Sequence, residues 1–376
     1  MARQNRPHRQ IQSRVRQILT WLKQSFVTDW NRSRLHRASY ILVASLLVCL
    51  GIMYAIGNWY IWTERNKPLE LGASFVPSYA ASLGLDPHQT LLAMLGDLKI
   101  RHLRLVSHWN DLEPQPGVYN FDELDWEFRQ AGAYGAKVTL AIGLRQPRWP
   151  ECHTPTWAMN EPDAVWQPQL KQFITIVVNR YKGNQALESY QLENEYFLRI
   201  FGTCTNYSRQ RLIDEAALVH RLDSRHTLII SRSENDVGWP IGKPTPDEFG
   251  VSVYQRVWTP VIGRYIQYPY PAWYYAFLAG IEKIWSGRDM VIHELQAEPW
   301  PPRGEPLSMT SLSEQNKSFN ATRLKQTIAF AKATGMKTID LWGAEYWYYR
   351  KVTLHDSSVW DAAKQEYAQV KDTATN

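Results

Sequence analysis

The sequence predicts an α/β protein whose main domain is a (β/α)8 barrel, preceded by a single transmembrane helix. From residue 69 onward, short apolar runs typical of strands alternate with amphipathic, helix-like stretches, which is the pattern of a parallel sheet covered by helices. Eight such apolar runs are present. A chain of 376 residues is long enough for one barrel of about 250 residues plus an N-terminal extension.

Residues 1–37 form a basic segment that predicts a cytoplasmic tail. They hold nine of the 42 Lys and Arg residues and a single acid, Asp29, which leaves 33 basic and 35 acidic residues in the remainder. The net charge of +6 and the pI near 9.0 therefore belong to the tail. A nucleic-acid partner is not expected, since the large domain is not basic, and the tail is of the kind attracted to anionic lipid headgroups.

Residues 38–63 contain no charged residue and are long enough to cross about 30 Å of hydrocarbon as a helix. The run ends in Trp59, Tyr60 and Trp62, aromatic residues favoured at a membrane interface. A cleaved signal peptide would have a shorter apolar stretch and a small-residue cleavage site. Because cationic flanks stay in the cytoplasm, the N-terminus is expected inside and the large domain outside, with the chain held in the lipid bilayer through residues 38–63.

Residues 68–376 are predicted to form the barrel domain. The eight candidate strands begin at residues 69, 101, 137, 187, 227, 249, 290 and 338. Two of the helices between them have sequence signals at both ends. One is predicted to begin at Asp122 and one at Asn320, and each has apolar residues at helical spacing and a glycine before the next strand. Long loops follow the strands, which places them on the face where barrel active sites are built.

Three cysteines are present. Cys49 lies in the apolar run, whereas Cys152 and Cys204 lie in the domain expected outside the cytosol. Two cysteines in an oxidising compartment predict one disulfide; the alternative is two free buried thiols.

Two glutamates close predicted strands, Glu195 the fourth and Glu294 the seventh. Hydrolysis of a glycosidic bond needs two carboxyl groups, one protonated acid and one ionised nucleophile or base. Glu298 competes with Glu294 for the second role and is otherwise a candidate for binding substrate hydroxyls. The ordinary alternative for each glutamate is a solvated surface carboxylate.

The chain resembles, over roughly residues 70 to 360, the clan of retaining (β/α)8 glycoside hydrolases that includes cellulases and β-galactosidases. Three features carry this resemblance: the pair Asn194 and Glu195 at the end of strand four, Glu294 at the end of strand seven, and a pattern after strand two. That pattern, W-x-x-x-E-P-x-P-G-x-Y-x-F, begins at Trp109.

The resemblance implies a role for each matching residue. Glu195 would be the general acid/base, Glu294 the nucleophile that attacks the anomeric carbon, and Asn194 a ligand of the sugar 2-hydroxyl. The resemblance further implies that Arg104 orients the nucleophile, that Tyr254 hydrogen-bonds it and that Trp342 forms the floor of the sugar site. Packing in the core or in a loop is the alternative for Tyr254 and for Trp342. The resemblance also implies that Cys152 and Cys204 are neighbours on the catalytic face.

Aromatic residues make up 13% of the chain, with 17 Trp. Six of them lie in predicted loops and are candidates for stacking on sugar rings, with burial against neighbouring loops as the alternative for each: Trp149, Trp157, Trp239, Trp258, Trp300 and Trp347. Trp109 is a further candidate for binding the substrate.

The sequence contains no HExxH, no paired CxxC and no glycine-rich phosphate loop after a strand, so neither metal nor cofactor is expected. Two hypotheses follow. The first is a membrane-anchored retaining glycoside hydrolase or transglycosylase that acts on an extracytoplasmic oligo- or polysaccharide. The alternative is a non-catalytic, membrane-tethered carbohydrate-binding barrel or polysaccharide-assembly scaffold.

Overall fold

A computed structural model of the chain describes residues 33–204, 206–233 and 243–374, together with scattered positions between 14 and 30. Most of the basic tail, and Trp239, lie outside the described residues. The chain divides into two compact units, Met1–Ile56 and Gly57–Asn376.

The second unit is a closed barrel of eight parallel strands, as predicted. The described strands in chain order are β1 Glu70–Ser74, β2 His102–Val106, β3 Lys137–Ile142, β4 Leu187–Leu192, β5 Thr227–Arg232, β6 Glu248–Val253, β7 Arg256–Thr259, β8 Arg264–Gln267, β9 Asp289–Gln296 and β10 Thr338–Trp342. The barrel closes in the order β1-β10-β9-β6-β5-β4-β3-β2, and β7 and β8 form a separate antiparallel hairpin. All eight predicted barrel strands are confirmed, with β9 and β10 as the seventh and eighth.

Helices cover the outside of the barrel. The described helices are α1 Arg34–Glu64, α2 Pro77–Ser82, α3 Pro87–Gly96, α4 Trp109–Leu112, α5 Asp122–Ala133, α6 Asp163–Tyr181, α7 Arg209–Leu222, α8 Ala272–Ser286, α9 Leu312–Ser318, α10 Ala321–Ala333, α11 Ala344–Val352 and α12 Ser358–Ala374. The two helices predicted from their ends are α5 and α10. The Asn320 side chain accepts a hydrogen bond from the Arg323 amide and caps α10.

Side chains alternate along each strand between the covering helices and the barrel interior. In β4, Tyr190 lies on the outer side against His226 and Asp223, while Gln191 points inward to Arg104 of β2. The inward-facing residues near the carboxyl ends of β2, β4 and β9 are polar and meet one another. This layer is where the candidate site is built.

Helix α1 is long and apolar enough to cross a membrane by length and composition. Its last two turns belong to the barrel unit, which begins at Gly57 and not at residue 68. Tyr60 is 1% exposed and lies in the main core, and Glu64 pairs with Lys283 at 3.5 Å. These two turns of α1 pack closely against α8, because a Cβ on Gly57 would lie 2.7 Å from the carbonyl oxygen of Trp273.

A domain that begins at residue 68 is therefore expected to be less stable than one that begins at residue 57. In the 57–376 protein, Tyr60→Ala should lower the free energy of unfolding by about 3–5 kcal/mol, the usual cost of removing a buried aromatic ring. Trp62→Ala is the matched control, since Trp62 is 61% exposed and surface substitutions usually change stability by less than about 0.5 kcal/mol. Urea unfolding measures both; equal losses would contradict the packing of Tyr60.

Candidate active site

Arg104 stands at the centre of the polar layer. It is fully buried, and three of its nitrogens donate to three different side chains: Nη1 to Oε1 of Glu294 at 3.0 Å, Nη2 to Oδ1 of Asn194 at 2.8 Å, and Nε to Oε1 of Gln191 at 2.6 Å. A guanidinium presents its donors in a fixed fork. Arg104 therefore sets the relative positions of residues from β4 and β9.

Glu294 is held from two sides. Arg104 donates to one carboxyl oxygen, and the hydroxyl of Tyr254 donates to the other, Oε2, at 2.9 Å. Burial, followed by the charge of Glu294, raises the pKa of Tyr254 well above its ordinary value, so the phenol keeps the proton that it donates. Both oxygens of Glu294 act as acceptors, as those of an ionised carboxylate do.

Glu195 follows β4 in a tight turn. Glu193 and Glu195 both have left-handed backbone conformations, with φ of 54° and 43°, and such strain in non-glycine residues is concentrated at functional sites. The turn is fixed because the Glu193 carboxylate accepts hydrogen bonds from the amides of Leu144 and Arg145 at 2.7 and 2.9 Å. The Glu195 amide donates to Oγ of Ser231 at 3.0 Å.

The environment of the Glu195 carboxyl differs from that of Glu294. It is buried, and its Oε1 has no hydrogen-bond partner among the described residues. Burial and, after it, the nearby charge of Glu294 raise the pKa of Glu195 to about 7. Two neighbouring carboxyls in different environments are the arrangement that assigns one as acid and the other as base or nucleophile.

Asn194 is oriented by its neighbours. Its Oδ1 accepts from Arg104 and from Nε2 of Gln191 at 2.9 Å, and its Nδ2 donates to Oε2 of Glu151 at 3.3 Å. The amide is thus fixed between the Arg104 network and the loop after β3. Burial raises the pKa of Glu151 well above its ordinary value.

Glu298 belongs to a second ion-paired group on the same face. It accepts from Arg148 Nη1 at 2.5 Å, from Arg148 Nη2 at 3.1 Å and from the Tyr79 hydroxyl at 2.7 Å. The Arg148 guanidinium lies over the rings of Tyr79 and Trp342, at 3.4 and 4.0 Å from their centroids. The structure thus gives Glu298 a bidentate partner of its own, and it is Glu294 whose charge acts on Glu195. Glu345 is buried beside Arg148, and burial raises its pKa to about 7.

A row of aromatic rings extends from the carboxylates toward the solvent. Tyr254 contacts Trp300 at 5.4 Å between centroids, Trp300 contacts Phe201 at 6.3 Å, and Phe201 contacts Trp149 at 5.8 Å. Trp149 is exposed. The row begins at Tyr254, which hydrogen-bonds Glu294, and ends at the exposed Trp149. It therefore offers aromatic faces on which successive sugars of a chain could stack.

The disulfide between Cys152 and Cys204 is present. It joins the loops after β3 and β4, which carry Trp149 and Phe201. Arg145 reinforces this link, since its Nη1 donates to the Phe201 carbonyl at 3.0 Å. The bridge therefore braces two of the aromatic residues in the row.

The expectation that Trp109 contacts substrate is not supported. Trp109 is fully buried, packs against Phe173 and donates from Nε1 to Oε2 of Glu113 at 2.7 Å. The other oxygen of Glu113 accepts from the Gly117 amide at 2.8 Å. The W-x-x-x-E-P-x-P-G pattern therefore holds a loop in shape, because its tryptophan and glutamate bond to each other. Trp347 is likewise buried.

Several residues of the site were not found from the sequence. They are Tyr79, Arg148, Glu151, Gln191, Phe201 and Ser231. Gln191 could have been found, because it lies on the inward face of a predicted strand three residues before Asn194. Arg148 and Phe201 lie in long loops, where no periodicity indicates direction.

At the opposite ends of the strands, Glu70, His102 and Glu188 bring potential metal ligands within 4.8 Å of one another. His102 already pairs with Asp340 at 2.7 Å and with Glu188 at 3.3 Å. Although burial opposes it, the charge of Asp340 and these contacts raise the pKa of His102 well above its ordinary value. Both ring nitrogens of His102 thus have an acidic partner within this group.

Comparisons with solved structures agree on the fold. The chain is similar to a single-residue variant of GH5_18 from Bifidobacterium longum subsp. longum in complex with Manb1-4GlcNAc, with a TM-score of 0.56, 13% identity, and coverage of 80% of this chain and 78% of that one. It is similar to GH5_18 from Streptomyces cattleya in complex with GlcNAc, with a TM-score of 0.52, 14% identity, and coverage of 73% and 70%. For the β-galactosidase from the haloarchaeon Halorubrum lacusprofundi the TM-score is 0.52 at 14% identity, with coverage of 80% and 58%.

One curated relative adds a local sequence match. Beta-galactosidase 11 from Oryza sativa subsp. japonica is 30% identical over 106 residues, which cover 23% of this chain and 12% of the relative. No family model matches the chain. Together the comparisons and the closed parallel barrel show that the chain has a (β/α)8 fold, which it shares with the solved glycoside hydrolases named above.

Proposed function

From a (β/α)8 barrel of the glycoside hydrolase type, we propose that this chain is a retaining glycoside hydrolase or transglycosylase with Glu294 as nucleophile and Glu195 as general acid/base. The observation that carries the proposal is the pair itself. Glu294 accepts from Arg104 and Tyr254, while the neighbouring Glu195 is buried with a pKa raised to about 7. The pair lies at the carboxyl ends of barrel strands, where such enzymes place their catalytic groups.

The proposed reaction has two steps. In the first, a carboxylate oxygen of Glu294 attacks the anomeric carbon while Glu195 gives its proton to the departing glycosidic oxygen. In the second, Glu195 takes a proton from water, or from the hydroxyl of another sugar, as that oxygen attacks the glycosyl-enzyme ester and releases Glu294. Asn194 lies beside Glu195 in the sequence, with its amide oriented by Arg104, and is proposed to bind the 2-hydroxyl.

The exchange of roles by Glu195 has a physical cause in this site. The negative charge of Glu294 is one of the causes that raise the pKa of Glu195. That charge disappears when Glu294 becomes an ester, so the pKa of Glu195 falls. A group that is protonated for the first step is then ionised for the second, as general acid/base catalysis requires.

We propose that the enzyme is anchored by α1, with the barrel outside the cytosol. The apolar helix, the basic residues before it and the disulfide between Cys152 and Cys204 support this arrangement. Membrane topology is tested by attaching a reporter enzyme after residue 376, and activity of a periplasm-dependent reporter is the expected result. Activity only of a cytosol-dependent reporter would contradict the proposed orientation.

The substrate is proposed to be an oligo- or polysaccharide with β-linked sugars. Two of the similar structures contain GlcNAc or Manb1-4GlcNAc, and the row from Tyr254 to Trp149 offers stacking surface beyond a single sugar. A panel should therefore include β-mannosides, β-N-acetylglucosaminides and β-galactosides, as aryl glycosides and as oligosaccharides.

The proposal is tested with the full chain purified in detergent. We expect release of reducing sugar or aglycone from one member of the panel, with proton NMR showing that the first-formed hemiacetal keeps the β configuration. An α product would overturn the retaining mechanism. Binding of glycans without release from any member would favour the non-catalytic carbohydrate-binding scaffold.

A further inference from the structure

The hairpin of β7 and β8 is an addition to the barrel that projects from the end of β6. Its tip carries two exposed apolar residues, since Val261 is 88% and Ile262 is 51% exposed. The hairpin base is anchored, because Arg256 Nε donates to the Lys317 carbonyl at 2.7 Å and the Tyr265 hydroxyl donates to Glu314 at 2.9 Å. An apolar tip held out on a fixed base is typical of a surface that contacts a partner.

A surface of tyrosines continues from the hairpin to the start of α8. The ring of Tyr268 lies 6.2 Å from that of Tyr270, and Tyr270 stacks on Tyr274 at 5.2 Å. Tyr270 is exposed. The segment 256–274, from the hairpin to the first turn of α8, contains six aromatic residues, two arginines and no aspartate or glutamate, a composition that favours a membrane interface with anionic lipid.

The chain enters the barrel unit at this same surface. Gly57 is the last residue of the apolar run ASYILVASLLVCLGIMYAIG. It lies against α8, since a Cβ added to it would be 2.7 Å from the Trp273 carbonyl oxygen and 3.2 Å from the Phe277 amide nitrogen. Trp273 is one residue from Tyr274, at the edge of the tyrosine surface. If the apolar run is embedded in a bilayer, the lipid headgroups therefore begin next to these tyrosines.

We propose that Val261, Ile262, Tyr268 and Tyr270, called here the rim patch, form a second contact with the lipid bilayer, beside the α1 anchor. The tip residues enter the boundary between headgroups and acyl chains, the tyrosines lie at headgroup level, and the exposed Arg264 contacts lipid phosphate. This inference rests on the proposed membrane anchor. It does not depend on the glycosidase activity.

The contact has a consequence for the active site. β7 begins two residues after Tyr254, whose hydroxyl touches Glu294. The rim patch would therefore hold the β6 side of the site against the membrane surface. Glycans attached to lipid, or growing close to the bilayer, are the substrates that such a placement favours.

The test uses the full chain with Cys49→Ser and a single new cysteine, Ile262→Cys, carrying an environment-sensitive fluorophore. The protein is reconstituted in vesicles of phosphatidylcholine and phosphatidylglycerol, with or without lipid bearing a nitroxide near the headgroup. Val118→Cys is the matched control, because Val118 is 53% exposed in the loop after β2, on the opposite side of the barrel. Val261→Cys gives an independent label should Ile262→Cys misfold.

We expect the nitroxide lipid to quench the label at residue 262 about twofold, as for a side chain at the headgroup boundary, and to leave the label at residue 118 nearly unchanged. Equal, weak quenching at both positions would overturn the proposal. A label at residue 262 that is shielded but not quenched, with crosslinks between copies, would assign the patch to a second copy of this chain. Recovery of the chain in the soluble fraction would also overturn it, because the anchor is its premise.

Discussion

Replacing Glu294 with glutamine is expected to lower turnover by on the order of 10⁴-fold or more, the scale seen when a catalytic nucleophile is removed. The physical reason is that an amide cannot form the glycosyl-enzyme ester. The amide also places an NH2 group where Arg104 and Tyr254 both donate, so one of these contacts is lost. Initial rates on the best substrate of the panel measure the effect.

Two comparisons separate this loss from misfolding. Glu298→Gln is the matched control, since Glu298 is ion-paired with Arg148 on the same face, and we expect it to retain far more activity than Glu294→Gln. A 2-deoxy-2-fluoro glycoside, which slows breakdown of the intermediate, should label Glu294 itself, as located by fragmentation of the labelled peptide in a mass spectrometer. Labelling at Glu298, or equal activity of the two variants, would show that the nucleophile is assigned wrongly.

Replacing Glu195 with glutamine is expected to lower turnover of substrates with poor leaving groups by about 10²–10⁴-fold, the usual contribution of a general acid. Aryl glycosides with acidic leaving groups need little protonation in the first step. For them we expect the second step to become limiting, and added azide to restore part of the rate by attacking the intermediate without a general base. A variant equally impaired on all substrates, with no response to azide, would contradict the acid/base role.

The pH profile of the wild-type protein provides a second readout for Glu195. Because burial and the charge of Glu294 raise its pKa to about 7, the proton needed for the first step is lost as the pH rises through that value. The kcat/KM is therefore expected to fall above about pH 7. In Glu294→Gln the neighbouring charge is removed, so the pKa of Glu195 should decrease, although burial still keeps it raised; carboxyl ¹³C NMR titration measures this shift.

The strands of the barrel could be read from the sequence because each one is a short apolar run between loops and helices, and burial on both faces of a parallel strand leaves little choice of residue. The ends of α5 and α10 were likewise predicted by local signals. The positions of Glu195 and Glu294 followed from the same logic. In the structure Glu294 lies within β9 and is placed by that strand, whereas Glu195 follows β4 after a turn that the Glu193 carboxylate holds.

The compact barrel unit begins at Gly57, whereas the sequence suggested a domain start at residue 68. The aromatic residues Trp59, Tyr60 and Trp62 indicated a membrane interface for the whole end of the apolar run. In the structure Tyr60 is buried in the core while Trp62 is exposed, because the last turns of α1 pack against α8 at Gly57. Apolarity alone does not distinguish a residue that faces lipid from one that faces protein.

The sequence by itself determined the eight strands, their order, the apolar helix before them, and the two glutamates at strand ends, because these depend on local composition and on the periodicity of side chains. Only the tertiary structure decided which polar groups meet. Arg104, Asn194 and Glu294 are far apart in the chain, and the direction of Arg148, Phe201 and Trp109 depends on loop packing. Hydrogen bonds and burial between distant segments set the protonation of Glu195, so its chemistry becomes defined only when the barrel closes.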